Sequence, residues 1–305
     1  MRLGRSWRVH GAAAMFVAPA LLLYALFIVY PLTRSLWGSL FQWRGLRQLG
    51  FIGLDNFARL FVEPSLTRVA GALLHNAAWF AGIMLLQNAL GLILAYLLFL
   101  RNRGSQLLQS VFFLPAILSP VIVGALWRLL LAPDGPLDAA ARALGLTEAP
   151  LTVLGDSGWA LWVLIAVDAW NWMGLPVLVF LAGFQAIPSE VFEAARLEGA
   201  NAARILRSVA LPLLLPAVSS LTTLTFINSF NQFDLVYVME GVQGNPSYST
   251  DTLVTYFYRL AFGAEGSAGI TDIGLALALG SGLFLLLSVS TVAILRYFDR
   301  KAAAL

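Results

Sequence analysis

Six stretches of the chain are each long and apolar enough to cross a lipid bilayer, and this constrains the fold more than any other feature. A helix needs roughly 20 mostly apolar residues to cross a hydrocarbon core of about 30 Å. Backbone groups inside that core must bond to one another, so only helices and closed barrels can span it. We therefore predict an all-α integral membrane protein with one transmembrane domain over residues 1–305. The six spans are predicted at residues 12–32, 77–100, 111–131, 159–184, 209–238 and 273–295.

Composition excludes several classes of protein. Residues are 59% hydrophobic and 11% charged, whereas an ordinary soluble domain carries roughly 25% charged residues. The absence of cysteine excludes disulfides, thiolate metal sites and thiol nucleophiles. The single lysine, Lys301, does not belong to a Walker-type phosphate loop, which needs a lysine to reach the phosphates. The chain itself is therefore not a P-loop ATPase.

The distribution of basic residues predicts the orientation in the membrane. Arg2, Arg5 and Arg8 precede the first span, which is too long for a signal peptide and lacks a small-residue cleavage pattern. A cytoplasmic N-terminus places eleven of the nineteen basic residues inside, as the positive-inside rule favours. The arginines of residues 33–76 are the exception. We expect both termini to be cytoplasmic, in a multi-pass protein of the plasma or inner membrane that binds no nucleic acid.

Motifs for bond-making chemistry are missing from the sequence. The two histidines, His10 and His75, belong to no His-Glu-x-x-His run, and there is no nucleophile elbow. Asp168 is a carboxylate inside a predicted span, and such an acid is by default a functional hypothesis. A contact with water or with a polar partner in the bundle would explain it equally well. We predict no catalytic residue, no metal site and no cofactor.

The loop over residues 185–208, between the fourth and fifth spans, carries the most informative motif. Ser189 is a natural N-cap, and Gly199 can adopt the left-handed conformation that ends a helix. The small side chains of Ala194 and Ala195 would let another protein approach closely. These features predict a docking helix, although an ordinary cytoplasmic helical hairpin has the same spacing.

A family resemblance favours docking. Glu193-Ala194-Ala195, followed after three residues by Gly199 and nine residues later by Val209-Ala210-Leu211-Pro212, resembles the EAA signature of membrane subunits of bacterial ABC importers. In that family the loop is a coupling helix that fits a cleft on a separate ATPase subunit. The resemblance implies that the coupling residues are Glu193, Ala194, Ala195, Glu198 and Gly199. Val209 and Glu198 replace the more usual isoleucine and aspartate.

Further segments are similar to the binding-protein-dependent sugar permeases of the maltose and glycerol-3-phosphate type. They are residues 51–57, 112–127 and 182–188. This resemblance implies the type I ABC importer permease fold and a second, homologous permease as partner. It also implies two ATPase subunits, which use the ATP, at the cytoplasmic face and a solute-binding protein on the outside.

The outer half of the fifth span is unusually polar, and one face of it is a candidate solute site. At 100° per residue Thr225, Asn228, Ser229 and Gln232 share an arc of about 100°, beside an aromatic stripe of Phe226, Phe230 and Phe233. These side chains could instead only tie helices together. In maltose-type permeases the corresponding face lines the sugar site, and the resemblance extends more weakly to the fourth span. The predicted substrate contacts are Thr225, Asn228, Ser229, Gln232, Asn171 and Gly174.

Together these features predict the membrane channel subunit of an ATP-driven importer for a sugar or a related polyol, not an enzyme. A permease for a non-sugar solute such as a polyamine is the alternative, and it would place acids along the pore, where Asp168 and Asp234 qualify. A proton-coupled secondary transporter would show intramembrane ionisable relays and inverted repeats. Neither feature is visible in the sequence.

Overall fold

In the described part of the chain the regular secondary structure is helical apart from one short hairpin. The computed structural model describes residues 15–100, 104–147, 150, 152–263 and 271–302. The helices are α1 (Met15–Gly38), α2 (Asp55–Leu60), α3 (Ser65–Phe99), α4 (Ser105–Ile117), α5 (Pro120–Leu130), α6 (Pro136–Ala143), α7 (Ala160–Asn171), α8 (Gly174–Ala186), α9 (Ser189–Leu197), α10 (Ala202–Leu213), α11 (Leu215–Phe230), α12 (Asp234–Glu240), α13 (Leu253–Phe262) and α14 (Ile273–Ala302).

The hairpin corrects the prediction of a purely α-helical chain. Strands β1 (Phe41–Arg44) and β2 (Arg47–Phe51) pair antiparallel between α1 and α2. Gly45 supplies the positive φ, 56°, that the tight turn requires. The Phe41 and Phe51 rings meet edge to face, with their centroids 5.4 Å apart. These side chains close the open end of the pair.

Among the described residues, three helices are long and apolar enough to cross a membrane without a break, namely α1, α3 and α14. Three further candidate spans are broken pairs: α4–α5 bends by 93°, α7–α8 by 47° and α10–α11 by 76°. Counting each pair as one span gives up to six. The helix that contains the second predicted span, α3, begins at Ser65, before residue 77. The first predicted span begins at residues 12–14, which lie outside the described residues.

Proline accounts for two of the three breaks. Ser119 is extended, with ψ 148°, because the ring of Pro120 disfavours helical geometry in the residue before it. The Ser119 hydroxyl then accepts a hydrogen bond from the Ile122 N–H, 3.4 Å away, and caps α5. At the α10–α11 break, Pro216 lies in the first turn of α11, where its missing N–H costs nothing. These breaks bend the third and fifth candidate spans.

The fifth predicted span is also shorter than expected, because α11 ends at Phe230 and not at residue 238. Asn231 closes the helix with φ −103°, and Phe233 is neither helical nor extended, at φ −142° and ψ −60°. The chain then forms the separate helix α12, which packs against α5 where Gly124 lets Val238 approach. The polar residues after Phe230 therefore do not continue the helical arc of α11.

Three apolar clusters hold the bundle together along its length. One joins α3, α8, α9 and α10 around Phe184 and Phe192, and the middle one joins α3, α5, α7 and α12 around Trp79. The third joins α2, α3, α11, α13 and α14 around Leu279. By contrast, the first half of α1, from Met15 to Tyr30, exposes its large apolar side chains. That half of α1 faces away from the rest of the chain.

Asn76 joins three helices at the third cluster. Its side chain is fully buried in α3, and Nδ2 donates to the Ser229 carbonyl at 2.7 Å. Its Oδ1 accepts from the Leu253 N–H at 3.0 Å. Ser229 lies at the end of α11 and Leu253 at the start of α13, where backbone groups have no partner within their own helix. One amide therefore caps two helix termini.

We expect Asn76→Ala to destabilise the protein strongly, because it leaves two buried backbone groups unpaired at roughly 1–3 kcal/mol each. The midpoint of thermal unfolding of the detergent-solubilised protein measures this. Ser220→Ala is the control, since Ser220 is exposed and bonds only within its own helix, to the Pro216 carbonyl. Equal midpoints for the two variants would contradict the capping role.

Candidate functional site

A polar cavity of about 280 Å³ lies where the broken helices meet. Its wall includes Pro120 at the α4–α5 break, Trp172 at the α7–α8 break and the last two turns of α11. Freed backbone groups at membrane depth are tolerated only where they line such a cavity or are buried in protein. The remaining polar side chains of the wall are Gln87, Asp168, Thr225, Asn228, Ser229, Asn231, Gln232 and Asp234.

The four residues predicted on α11 and just after it all lie in this wall. Asn228 is exposed to the cavity, whereas Thr225 and Ser229 are 6% and 1% exposed. The Thr225 hydroxyl accepts a hydrogen bond from Asn88 Nδ2 at 2.7 Å, so it also ties α11 to α3. Gln232 is partly buried. Asn228 and Gln232 are therefore the predicted side chains best placed to meet a solute.

Asn171 and Gly174 are not in the cavity wall, which corrects the weaker part of the predicted site. Asn171 is 2% exposed within the packing of α7. A Cβ on Gly174 would lie 2.6 Å from the Phe113 Cα, so this glycine allows α8 to pass close to the end of α4. The absence of a side chain at Gly174 serves helix packing. The three residues of the predicted aromatic stripe also separate. Phe233 lines the cavity, whereas the rings of Phe226 and Phe230 contact each other at a tilt, with their centroids 4.7 Å apart.

Sequence reasoning missed several residues of the wall. Asn231 joins it because α11 ends at Phe230, so a helical wheel misplaces the residues beyond that point. Asp234, one of the two acids that the sequence offers to a pore, also lies in the wall. Gln87 joins it from a wider, π-helical turn of α3 over Met84–Ala89. Its Nε2 donates to the Trp172 carbonyl, 3.3 Å away, at the α7–α8 break. Such turns are frequent at functional sites, but the sequence carries no signal for them.

Asp168 lies in the cavity wall and is held by two neutral donors. Trp79 Nε1 donates to its Oδ2 at 2.8 Å, and Gln232 Nε2 donates to the same oxygen at 2.9 Å. The backbone carbonyl of Gln232 in turn accepts a hydrogen bond from the Thr252 hydroxyl at 2.8 Å. The predicted polar bundle partners of Asp168 are thus present. One of them, Gln232, is itself a predicted solute contact.

The second candidate site is the surface of α9. Phe192 is buried and its ring centroid lies 5.1 Å from that of Phe99, at the end of α3. Phe99 stacks on Phe184 of α8 with centroids 5.5 Å apart. The Tyr96 hydroxyl donates to the Ala202 carbonyl at 3.0 Å and fixes the start of α10. The loop that carries α9 is therefore seated on the ends of two membrane helices.

Gly199 ends α9 as the sequence predicts, with φ 79°. The Ala200 N–H donates to the Ala195 carbonyl and the Gly199 N–H to the Arg196 carbonyl, both at 3.0 Å, which closes the helix with a left-handed residue. Ser189 is the first helical residue instead of the N-cap, because the cap position belongs to Pro188. The helix boundary is thus one residue earlier than the predicted one.

The predicted coupling residues do not all face outward. Ala195 is 9% exposed because it lies one turn from Phe192 and shares its buried face. The other four, Glu193, Ala194, Glu198 and Gly199, are exposed, and so is Leu197, at 89%. An apolar side chain this exposed beside acidic residues gives α9 a surface on which another protein could dock.

Comparisons with known proteins identify the family of the chain. Residues 87–304 match the family described as binding-protein-dependent transport system inner membrane component. The lactose transport system permease protein LacF of Rhizobium radiobacter is 32% identical over 81% of this chain and 82% of its own. The sn-glycerol-3-phosphate transport system permease protein UgpA of Yersinia pestis is 31% identical over 94% of both chains. The multiple sugar-binding transport system permease protein MsmF of Streptococcus mutans is 29% identical over 91% of both.

The fold is shared with a solved ABC transporter. A chain of the bacterial alginate ABC transporter, in complex with an alginate pentasaccharide-bound periplasmic protein, superposes with a TM-score of 0.77. The match covers 98% of this chain and 96% of that chain at 20% sequence identity. The chain therefore has the ABC importer permease fold.

Proposed function

The chain belongs to the family of binding-protein-dependent transport system inner membrane components, and we propose that it is a channel subunit that imports a sugar or a related polyol. The observation that carries the proposal is the cavity, whose neutral hydroxyl and amide groups match the donors and acceptors of a sugar. The relatives named for lactose and for multiple sugars support this solute class.

Three kinds of protein partner are proposed for the chain. The first half of α1 exposes its large apolar side chains, as a helix packed on lipid or on a second, homologous permease would. The exposed face of α9 suits the cleft of a separate ATPase, of which the transporter would have two. A solute-binding protein would deliver the solute from the other side. The solved alginate transporter is in complex with such a periplasmic protein.

The proposed mechanism couples α9 to the cavity through rigid elements. Closure of the ATPases would push on α9, which is seated through Phe192 and Phe99 on the ends of α3 and α8. Both helices reach the cavity, α3 at Gln87 and α8 at Leu175. Rigid-body movement of these helices would open the cavity to alternate sides of the membrane. The chain performs no bond chemistry in this scheme.

A cationic solute such as a polyamine is the second candidate, because Asp168 and Asp234 both line the cavity. Uptake of a labelled neutral sugar and of labelled spermidine by the assembled transporter separates the two. Uptake of spermidine without any sugar would replace the carbohydrate proposal.

The first prediction from the proposed function concerns topology, with six spans and both termini in the cytoplasm. The chain has no cysteine, so single exposed serines can be replaced in turn. We expect Ser189→Cys to react with a membrane-impermeant thiol reagent only from the cytoplasmic side, and Ser247→Cys only from outside. The reverse pattern in sealed cells and inverted vesicles would place α9 outside, away from any ATPase.

The solute face gives the second prediction. We expect Asn228→Ala to lower uptake several-fold, because a neutral hydrogen bond to the sugar contributes about 0.5–1.5 kcal/mol. Initial rates of labelled sugar uptake over a range of concentrations measure the loss. Ser220→Ala, on the same helix but outside the cavity wall, is the matched control. A loss in the control with none in Asn228→Ala would mean that the solute meets another face of α11.

The third prediction uses three substitutions of Gly199, where a Cβ would meet no other atom within 4 Å. A substitution here therefore acts only through the backbone conformation. Holding alanine or valine at φ 79° raises the conformational free energy by about 1 kcal/mol or more. We expect Gly199→Val and Gly199→Ala to uncouple ATP hydrolysis from uptake while the protein still inserts in the membrane. Gly199→Asn should remain coupled, because asparagine tolerates this conformation.

The asparagine variant makes the test specific. Asparagine is larger than alanine, so a defect caused by side-chain bulk would be greater in Gly199→Asn than in Gly199→Ala. A defect caused by φ would be smaller in Gly199→Asn. Normal coupling in Gly199→Val, measured by solute-stimulated ATP hydrolysis, would remove the assigned role of the α9 terminus.

A further inference from the structure

Asp168 is almost fully buried in the cavity wall, yet only one of its carboxylate oxygens is bound. Its exposed fraction is 8%, and both Trp79 and Gln232 donate to Oδ2. No group in the described part of the chain donates a hydrogen bond to Oδ1. A carboxylate offers about four acceptor positions over its two oxygens. The second oxygen is therefore left for a molecule that occupies the cavity.

The cavity wall contains no positive charge to balance this carboxylate. Among the described residues that line it, Asp168 and Asp234 are acidic and none is arginine, lysine or histidine. At an effective dielectric of about 20–40, a second anion about 6 Å away would bind roughly tenfold to a hundredfold more weakly than a neutral molecule. A hydroxyl, by contrast, makes a stronger hydrogen bond to a carboxylate than to a neutral acceptor.

We propose that Asp168 sets the solute class: its Oδ1 accepts hydrogen bonds from the hydroxyls of a neutral sugar, and its charge excludes anionic solutes such as uronates and phosphate esters. The inference rests on the proposed function, in which this cavity is the solute path. It goes further, because family membership leaves the charge of the solute open. The relatives are named both for lactose, a neutral sugar, and for sn-glycerol-3-phosphate, an anion.

The charge of the cavity is measurable without knowing the solute. Asn228→Cys places a thiol in the cavity wall of a chain that has no other cysteine. The probes are two small methanethiosulfonates, one carrying a trimethylammonium group and the other a sulfonate. The thiolate fraction affects both reagents equally, so the ratio of their rate constants reports the local potential.

Asp168→Asn is the test substitution, because its amide oxygen can still accept from Trp79 and Gln232 while the charge is removed. In the Asn228→Cys background it should lower the cation-to-anion rate ratio by about fivefold or more. Asp234→Asn is the matched control: Asp234 is exposed to water and screened, so the ratio should change less than twofold. Ser189→Cys, on α9, should show no response to Asp168→Asn.

The proposal would be overturned if Asp168→Asn changed the cation-to-anion rate ratio by less than twofold. It would also be overturned if Asp234→Asn changed the ratio as much as Asp168→Asn does.

The second experiment measures uptake by the assembled transporter in the presence of ATP and its binding protein. Wild type should take up labelled neutral sugars such as lactose or raffinose and reject glucuronate and glycerol 3-phosphate. Uptake of either anion would overturn the inference and leave the importer function intact. Uptake of none of the probes would contradict the carbohydrate function, while the labelling ratio still decides the charge of the cavity.

Discussion

The constraint on which this structure depends is that backbone groups in a membrane must find partners within the protein. Three of the six candidate spans are broken, and each break frees such groups. The breaks at Pro120 and Trp172 and the end of α11 meet at one cavity. Gln87 satisfies the Trp172 carbonyl there, and Asn76 satisfies the Ser229 carbonyl nearby. The same polar groups that make broken helices tolerable thereby line the cavity that we propose as the solute site.

Packed helices connect α9 to the cavity. Aromatic rings seat α9 on α3 and α8, and Pro176 of α8 lies so close to Gly91 of α3 that a Cβ there would be 2.8 Å from it. Close packing of this kind transmits displacement because protein interiors are hardly compressible. A push on α9 would therefore move both helices as one unit. This gives the proposed coupling a physical route from the cytoplasmic surface to the cavity.

Local signals predicted part of this arrangement well. Gly199 ends α9 because glycine adopts φ 79° without strain, and that preference is visible in the sequence. Asn228 and Gln232 were predicted as solute contacts because they are polar residues of a mostly apolar predicted span, and both line the cavity. The errors arose where tertiary packing decides: Ala195 faces inward because Phe192 anchors the same face, and Gly174 serves the passage of α8 past Phe113. The wide turn that brings Gln87 into the wall and the end of α11 at Phe230 leave no local pattern.

The central claim is that α9 docks on a separate ATPase at the cytoplasmic face, and photo-crosslinking tests it most directly. A photoreactive amino acid would replace Leu197, exposed at 89%, or Leu146, exposed at 76% in the loop after α6. On irradiation of intact cells, the account predicts a covalent adduct between position 197 and an ATPase polypeptide, and none from position 146. An ATPase adduct from position 146, with none from position 197, would contradict it.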